Sequence, residues 1–110
     1  MEALKRQIKI VVEDELTAAN VKFPQFHSEH EGFSVIHEEF DELKDEVSDM
    51  CDKMTDMWGK VKINQLDPDS VVRSYNTAVN VACEAIQVAA MCKKMKHFME
   101  NERKEEKCSE

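Results

Sequence analysis

The chain has 110 residues, of which 23 are acidic and 15 basic, so its formal net charge at pH 7 is −8. This acidic balance argues against a protein that binds the phosphate backbone of nucleic acids, which would need a basic patch. Gly and Pro are rare, and good helix formers dominate a length that suits one domain. We therefore predict an all-α fold, a helical bundle of three to four main helices completed by oligomerisation.

The sequence has neither a long apolar run nor a signal-like N-terminus, which predicts a cytoplasmic protein without a membrane partner. The four cysteines form no CxxC pair. In a reducing compartment we expect them to be free thiols rather than disulfides or zinc ligands. They are Cys51, Cys83, Cys92 and Cys108.

The first helix is predicted over residues 3–18, where apolar residues recur at helical spacing. The stretch NVKFPQFHS, with Pro24 inside it, then breaks the pattern. A second helix begins after Ser28, because Ser28 and Glu31 have the spacing of a capping box. It runs to about Met57.

The connection to the third helix begins at Gly59. Asp67 and Pro68 are typical of an N-cap and a first helical position, so the third helix runs from there to about residue 99. Residues 1–99 form the single domain. The charged segment 100–110 has no apolar period, and we expect a frayed or disordered tail.

The second helix has an apolar stripe and a strongly acidic face. The stripe is predicted to be core, and the acidic face is first interpreted as solvent-exposed. Lys44 is the one Lys or Arg between residues 31 and 52, so the carboxylates lack the usual helical ion pairs. A divalent cation would relieve their repulsion. The predicted stripe consists of Phe33, Ile36, Phe40, Leu43, Val47, Met50 and Met54.

The third helix carries one charged residue, Glu84, within the otherwise uncharged stretch 77–92. A helix that is apolar nearly all round is expected to be buried on several sides, where an ionised carboxylate is costly unless it is paired or bound to metal. Asn80, Glu84 and Gln87 fall on one polar stripe. One interpretation is a buried, hydrogen-bonded glutamate that fixes helix register. The interpretation we favour is a metal site shared with the acidic helix.

Together these helices resemble the all-α nucleoside triphosphate pyrophosphohydrolases of the MazG-like superfamily, most of all its small members from phages and Firmicutes. The family motif EExxE stands at residues 38–42, and the later ExxD motif corresponds to residues 84–87, with Gln87 in place of Asp. The lead-in FHSEHEG and the stretch EAIQVAAM add to the resemblance, which covers about residues 22–95.

The resemblance implies an oligomeric enzyme, a homodimer or homotetramer, in the cytoplasm of a bacterium or a phage-infected host. It implies Mg²⁺, with Mn²⁺ as a possible substitute, and attack of water on the α-phosphorus of a nucleoside triphosphate to release pyrophosphate. By position, Glu38 would be catalytic. The metal ligands would be Glu39, Glu42, Glu84 and Gln87.

Three polar residues are weaker candidates for contact with the nucleotide, namely His27, His30 and Asn80. The neutral Gln87 is a poorer Mg²⁺ ligand than Asp, and the two half-motifs are further apart than is usual in the superfamily. A degenerate relative that binds nucleotide or protein without catalysis is therefore the alternative. A carboxylate-bridged di-iron bundle is set aside, because no His follows a Glu at the Glu-x-x-His spacing.

Overall fold

The computed structural model describes the backbone of residues 1–109 and the side chains of residues 1–105. The described chain has no β-strand and consists of helices α1 (Glu2–Lys22), α2 (Glu29–Lys62) and α3 (Pro68–Ser109). The prediction of an all-α fold of three to four main helices is confirmed, with three helices in the described chain, and its completion by oligomerisation stays a prediction. The chain divides into two compact units, residues 1–39 with the segment from 86 onward, and residues 40–85.

The starts of α2 and α3 follow from local capping, as predicted. The backbone N–H of Glu31 donates to Ser28 Oγ at 3.0 Å. The Glu31 carboxylate accepts from the backbone N–H of His27 at 3.4 Å, one residue before the N-cap it would bond in an ideal capping box. At α3, the backbone N–H of Ser70 donates to Asp67 Oδ2 at 3.1 Å. Both helices thus begin where a side-chain oxygen satisfies an otherwise unpaired N–H group.

The C-terminus of α2 differs from the prediction, because the helix continues through Gly59 to Lys62. Asn64 adopts a left-handed conformation with φ of 56°. Its N–H bonds the Val61 carbonyl at 3.0 Å, and the Gln65 N–H bonds the Lys60 carbonyl at 2.8 Å. This is a Schellman motif with Asn in the position that Gly usually takes, so the sequence lacked the usual stop signal.

Helices α1 and α3 are also longer than predicted. The first ends at Lys22, just before Pro24. The backbone of 100–109 continues α3, where Glu, Lys and Arg are good helix formers. The structure thus shows no helix boundary at residue 99. Residue 110 and the side chains of 106–110 lie outside the described residues, and the disorder of this tail stays a prediction.

The first unit has an apolar core where α1, the start of α2 and the second half of α3 meet. Gly32 of α2 lies close to α3, since a Cβ there would lie 2.7 Å from Met95 Cε and 3.0 Å from Phe26 Cδ2. The buried apolar side chains are Val12, Leu16, Phe26, Ala90 and Met91.

The second unit is a helical hairpin held by polar contacts. Lys60 Nζ donates to Ser70 Oγ at 2.6 Å, and Thr77 Oγ1 donates to Asp49 Oδ2 at 3.2 Å. The buried side chains of residues 40–85 are Ser70, Ser74 and Thr77, and this stretch has no fully buried apolar residue. The hairpin therefore lacks an apolar core of its own.

Four of the seven residues in the apolar stripe predicted as core in α2 are exposed in the single chain. Phe33 is 62% exposed and Phe40 44% exposed, and Val47 and Met54 are similar to Phe40. The other members, Ile36, Leu43 and Met50, are half-buried. The prediction is wrong for the exposed members, because each faces outward where the chain supplies no further helix to cover it.

The expectation that residues 77–92 are buried on several sides is also wrong for the single chain. Val79 is 44% exposed, and Ala78, Ala82 and Cys83 are exposed.

Among the residues described, no helix is long and apolar enough to cross a membrane.

Candidate functional site

Glu84 has the most unusual environment of the predicted site residues. It is half-buried, and its Oε2 atom is buried without a hydrogen-bond partner. Burial raises the pKa of Glu84 above its ordinary value of 4.5, and so do the neighbouring carboxylates of Glu42 and Glu46. Neighbouring carboxylates repel each other while both are ionised. The site therefore favours a proton or another cation between Glu42 and Glu84.

Glu39 joins these two residues, one helical turn before Glu42 on α2. Glu39, Glu42 and Glu84 each offer a carboxylate oxygen, and these atoms lie within 4.8 Å of one another. We call this set the acidic cluster. The first two come from the predicted EExxE motif and the third from the later helix, so the structure brings together three of the four predicted metal ligands.

The chemistry of the acidic cluster suits a hard divalent cation. Mg²⁺ and Mn²⁺ prefer carboxylate oxygens to nitrogen or sulfur ligands, and Mg²⁺ commonly keeps several waters while one or two carboxylates bind it. The buried, unpartnered Oε2 of Glu84 is an acceptor that a cation would satisfy. Glu39, Glu42 and Glu84 thus fit the divalent cation that the sequence predicts.

The fourth predicted ligand, Gln87, has a different partner in the structure. Its Nε2 donates to Glu15 Oε2 at 2.7 Å, which joins α3 to α1 within the first unit. Since the amide group faces a carboxylate, the amide nitrogen cannot be a metal ligand. No contact of Gln87 supports a role as a metal ligand, and that role stays a prediction.

Glu38, the predicted catalytic residue, is exposed. It is not among the carboxylates of the acidic cluster, since it lies one residue before Glu39 and points about 100° away around the helix. Its catalytic role stays a prediction.

The weaker candidates are not members of the acidic cluster. His27 is 85% exposed at its side chain and pairs with Glu31 at 3.1 Å. His30 and Asn80 are exposed. The contact of all three with a nucleotide stays a prediction.

A cleft of about 720 Å³ lies in the first unit. Apolar side chains from all three helices and the loop after α1 form much of its wall, and both Glu15 and Gln87 line it. Glu39 lines it too and is also a member of the acidic cluster. The remaining lining residues are Ala18, Ala19, Lys22, Phe23, Phe26, Glu31, Val35, Met91 and Lys94.

Lys94 is a buried cation in the wall of this cleft. It is only 6% exposed, its ammonium donates to the Phe23 carbonyl, and it lies 4.8 Å from the centre of the Phe26 ring. Burial lowers the pKa of Lys94, an effect that the charge of Glu31 opposes. Lys94 thus holds the 23–26 segment against α3 and places a positive charge beside the cleft.

The sequence pattern did not indicate Glu15 as a site residue. Glu15 lies in α1, 72 residues before its partner Gln87, and no spacing rule links two helices that far apart. The one feature of the sequence that could have indicated Glu15 is its position beside the apolar residues of α1.

A second cleft, of about 390 Å³, lies in the hairpin and is lined by charged residues. Two of its three carboxylates are paired with lysines, Asp49 with Lys53 at 2.7 Å and Asp56 with Lys60 at 3.3 Å. Asp67 accepts from Ser70 and lies near Lys60, which lowers the pKa of Asp67 to about 2. Because both lysines and two of the carboxylates already have partners, this cleft is a weaker candidate for a ligand site than the acidic cluster.

Comparison of the chain with protein-family models, with curated proteins and with solved structures finds no significant match. The resemblance to the MazG-like superfamily therefore rests on the motif residues themselves. The cysteines Cys51, Cys83 and Cys92 are free and exposed, and the side chain of Cys108 lies outside the described residues.

Proposed function

We propose that this protein is a Mg²⁺-dependent nucleoside triphosphate pyrophosphohydrolase of the bacterial or phage-infected cytoplasm. It hydrolyses a (deoxy)nucleoside triphosphate to the monophosphate and pyrophosphate. The observation that carries this proposal is the acidic cluster, in which the half-buried Glu84, from the otherwise uncharged stretch 77–92, offers a carboxylate oxygen within 4.8 Å of those of Glu39 and Glu42 of the acidic helix. The motif resemblance supplies the reaction.

Each part of the site has a role in this proposal. Glu39, Glu42 and Glu84 hold the divalent cation, which neutralises charge on the triphosphate. Glu38 orients the attacking water. The cleft receives the nucleotide, since it shares Glu39 with the acidic cluster, and the buried Lys94 adds positive charge to its wall.

The test is pyrophosphate release from a panel of dNTPs and NTPs with Mg²⁺. We expect turnover by the wild type and its loss in Glu39→Ala and Glu84→Ala, by about 10³-fold or more if the ligands act on one metal. Asp45→Ala is the matched control, because Asp45 is an exposed acid of the same helix outside the cluster. Activity that survives both ligand substitutions would mean that the site is misplaced.

One observation favours a second candidate function, a degenerate relative that binds nucleotide or a protein without catalysis. Gln87 stands where the family has Asp and bonds Glu15 instead of completing the acidic cluster. The same panel decides between the two. Nucleotide binding without turnover on any substrate would favour the degenerate relative.

We also propose that the hairpin pairs with a second copy. Phe40, Val47, Met54 and Val61 recur every seven residues on α2 and are all exposed, which is the spacing of a helix that packs along a partner helix. On α3, Val72, Tyr75 and Val79 are exposed as well. With Trp58, these side chains expose on the order of 700 Å², close to the ~800 Å² per partner of a standard interface.

A homodimer formed this way would give the hairpin the apolar core that it lacks within one chain. We call these eight side chains the hairpin stripe. The proposal leaves room for a homotetramer built from two such dimers.

A further inference from the structure

We infer that Glu15 and Gln87 select nucleotides whose base carries an amino group at C4 of a pyrimidine or C6 of a purine, cytosine and adenine, over uracil and thymine, which carry a carbonyl oxygen at C4. The inference rests on the proposed function for the identity of the ligand as a nucleotide. It begins from the hydrogen bond by which Gln87 pairs with Glu15 of α1, since both residues line the cleft.

The Glu15 carboxylate fixes the orientation of the Gln87 amide. A carboxylate accepts hydrogen bonds and cannot donate them, so the NH₂ group of Gln87 must face Glu15. The bond of 2.7 Å between Nε2 and Oε2 has the short distance of a charge-assisted hydrogen bond. The carbonyl oxygen Oε1 of Gln87 is thereby held on the other side of the amide, and the amide cannot turn over without placing two acceptors against each other.

The locked pair therefore presents mainly acceptors. The acceptors are Oε1 of Gln87 and the remaining lone pairs of the Glu15 carboxylate, and the second N–H of Gln87 Nε2 is the one donor of the pair beyond its bond to Glu15. Both residues are half-buried, so water satisfies them only in part once a ligand fills the cleft. A ligand that offers donors at this place is favoured, and one that offers a carbonyl leaves acceptors facing an acceptor.

The rest of the cleft suits a flat ring. Phe23 lines the cleft and is 72% exposed, and Ala18, Ala19 and Met91 are small or flexible apolar neighbours. Aromatic side chains stack with any base and so do not choose among them. Glu15 and Gln87 therefore determine which base binds.

Cytosine, adenine, uracil and thymine differ in the group that would meet this pair. Cytosine and adenine carry an NH₂ group, a donor that carboxylates and amide oxygens recognise, whereas uracil and thymine carry a carbonyl oxygen at the matching position. A matched pair of hydrogen bonds is worth about 1–3 kcal/mol in base discrimination, or about 10- to 100-fold in affinity.

The experiment is calorimetric titration of the wild type with the α,β-imido analogues of dCTP, dATP, dUTP and dTTP in Mg²⁺. These analogues cannot be cleaved between the α- and β-phosphates, so the readout is binding alone. We expect the dCTP and dATP analogues to bind about 10- to 100-fold more tightly than the other two. Equal affinities for all four, or no binding of any, would overturn the inference.

Glu15→Gln tests the role of the carboxylate directly. An amide at this position allows the Gln87 amide to adopt either orientation and supplies donors of its own. The affinity ratio is expected to fall towards one. Glu13→Gln is the matched control, since Glu13 lies in the same helix and pairs with Lys93 outside the lining of the cleft. A ratio unchanged in Glu15→Gln would also overturn the inference.

Failure of the inference and failure of the proposed function give different results. Turnover of all nucleotides at similar rates, with equal analogue affinities, contradicts the base selection and leaves the hydrolase proposal standing. Selective binding of the dCTP and dATP analogues without turnover of the natural nucleotides supports the base selection and contradicts the hydrolase.

Discussion

Glu84 is the residue whose ionisation matters most to the proposed site, and its raised pKa gives a pH-dependent prediction. Above its ordinary value of 4.5, an unfolded Glu84 loses its proton while the folded one keeps it. The folded state then binds more protons than the unfolded state, so stability falls as pH rises through the interval between the ordinary and the raised pKa.

We therefore expect Glu84→Gln to raise the melting temperature in the absence of divalent cations at pH 8. The gain should shrink as pH falls through this interval and vanish below 4.5, where the wild-type residue is protonated in both states. Mg²⁺ should stabilise the wild type and not the variant, because binding to the folded state alone shifts unfolding by mass action. Thermal melts across this pH range with and without Mg²⁺ measure both effects, and a Mg²⁺ shift in the variant as large as in the wild type would contradict the assignment.

The helix-capping contacts of single residues were predictable because they are local in the sequence. Ser28 and Asp67 cap helices through bonds to residues three positions away, and such spacing can be recognised in a sequence. The Glu15–Gln87 contact was not predictable, because it depends on how α1 packs against α3. The site was predictable in part, since the EExxE motif indicates Glu39 and Glu42, and a lone charge in an apolar helix indicates Glu84.

At the scale of the helix, the two glycines of α2 differ in their surroundings. A Cβ at Gly59 would have no heavy atom within 4 Å, whereas one at Gly32 would lie 2.7 Å from Met95 Cε and 3.0 Å from Phe26 Cδ2. Gly is about 1 kcal/mol worse than Ala inside a helix. The same substitution should therefore have opposite effects at the two positions.

We expect Gly59→Ala to raise the free energy of unfolding by about 0.5–1 kcal/mol. Gly32→Ala should lower it, since the added methyl group must displace Met95 and press on the buried Phe26 ring. Urea denaturation of both variants measures this. Destabilisation by Gly59→Ala would show that the C-terminal part of α2 packs against something at that face.

The end of α2 shows why helix boundaries were less predictable than helix existence. A glycine at 59 looks like a stop, yet the helix passes through it and ends in a Schellman motif around Asn64. Asn adopts the left-handed conformation more readily than other residues with a Cβ. Its signal is weak in sequence because Asn is also common in loops.

At the scale of the whole molecule, the hairpin has polar residues inside and apolar residues outside. The prediction that the apolar stripe of α2 is core is wrong for Phe40, Val47 and Met54, because a single chain offers no helix to cover them. Pattern alone identifies an apolar face and not the molecule that covers it. This is why the predicted core and the observed core differ most in this unit.

We expect the wild type to be at least a dimer, and Met54→Glu combined with Val61→Glu to shift it towards monomer. Both positions lie on the hairpin stripe, where two buried glutamates per copy would be costly. Ile10→Glu combined with Val21→Glu is the control, because these exposed residues of α1 lie outside the stripe. Analytical ultracentrifugation measures the masses, and a monomeric wild type would contradict the proposed pairing.

The proposed enzyme requires metal binding at the acidic cluster. Titration with Mn²⁺, followed by electron paramagnetic resonance, measures this binding without nucleotide. Bound Mn²⁺ loses most of the signal of the free ion, so the titration counts sites and gives their affinity. We predict saturable binding by the wild type and by the control Asp45→Asn, and affinity at least about 10-fold weaker in Glu84→Gln. Equal binding by Glu84→Gln and the wild type, or no saturable binding by either, would contradict a metal centre at this place.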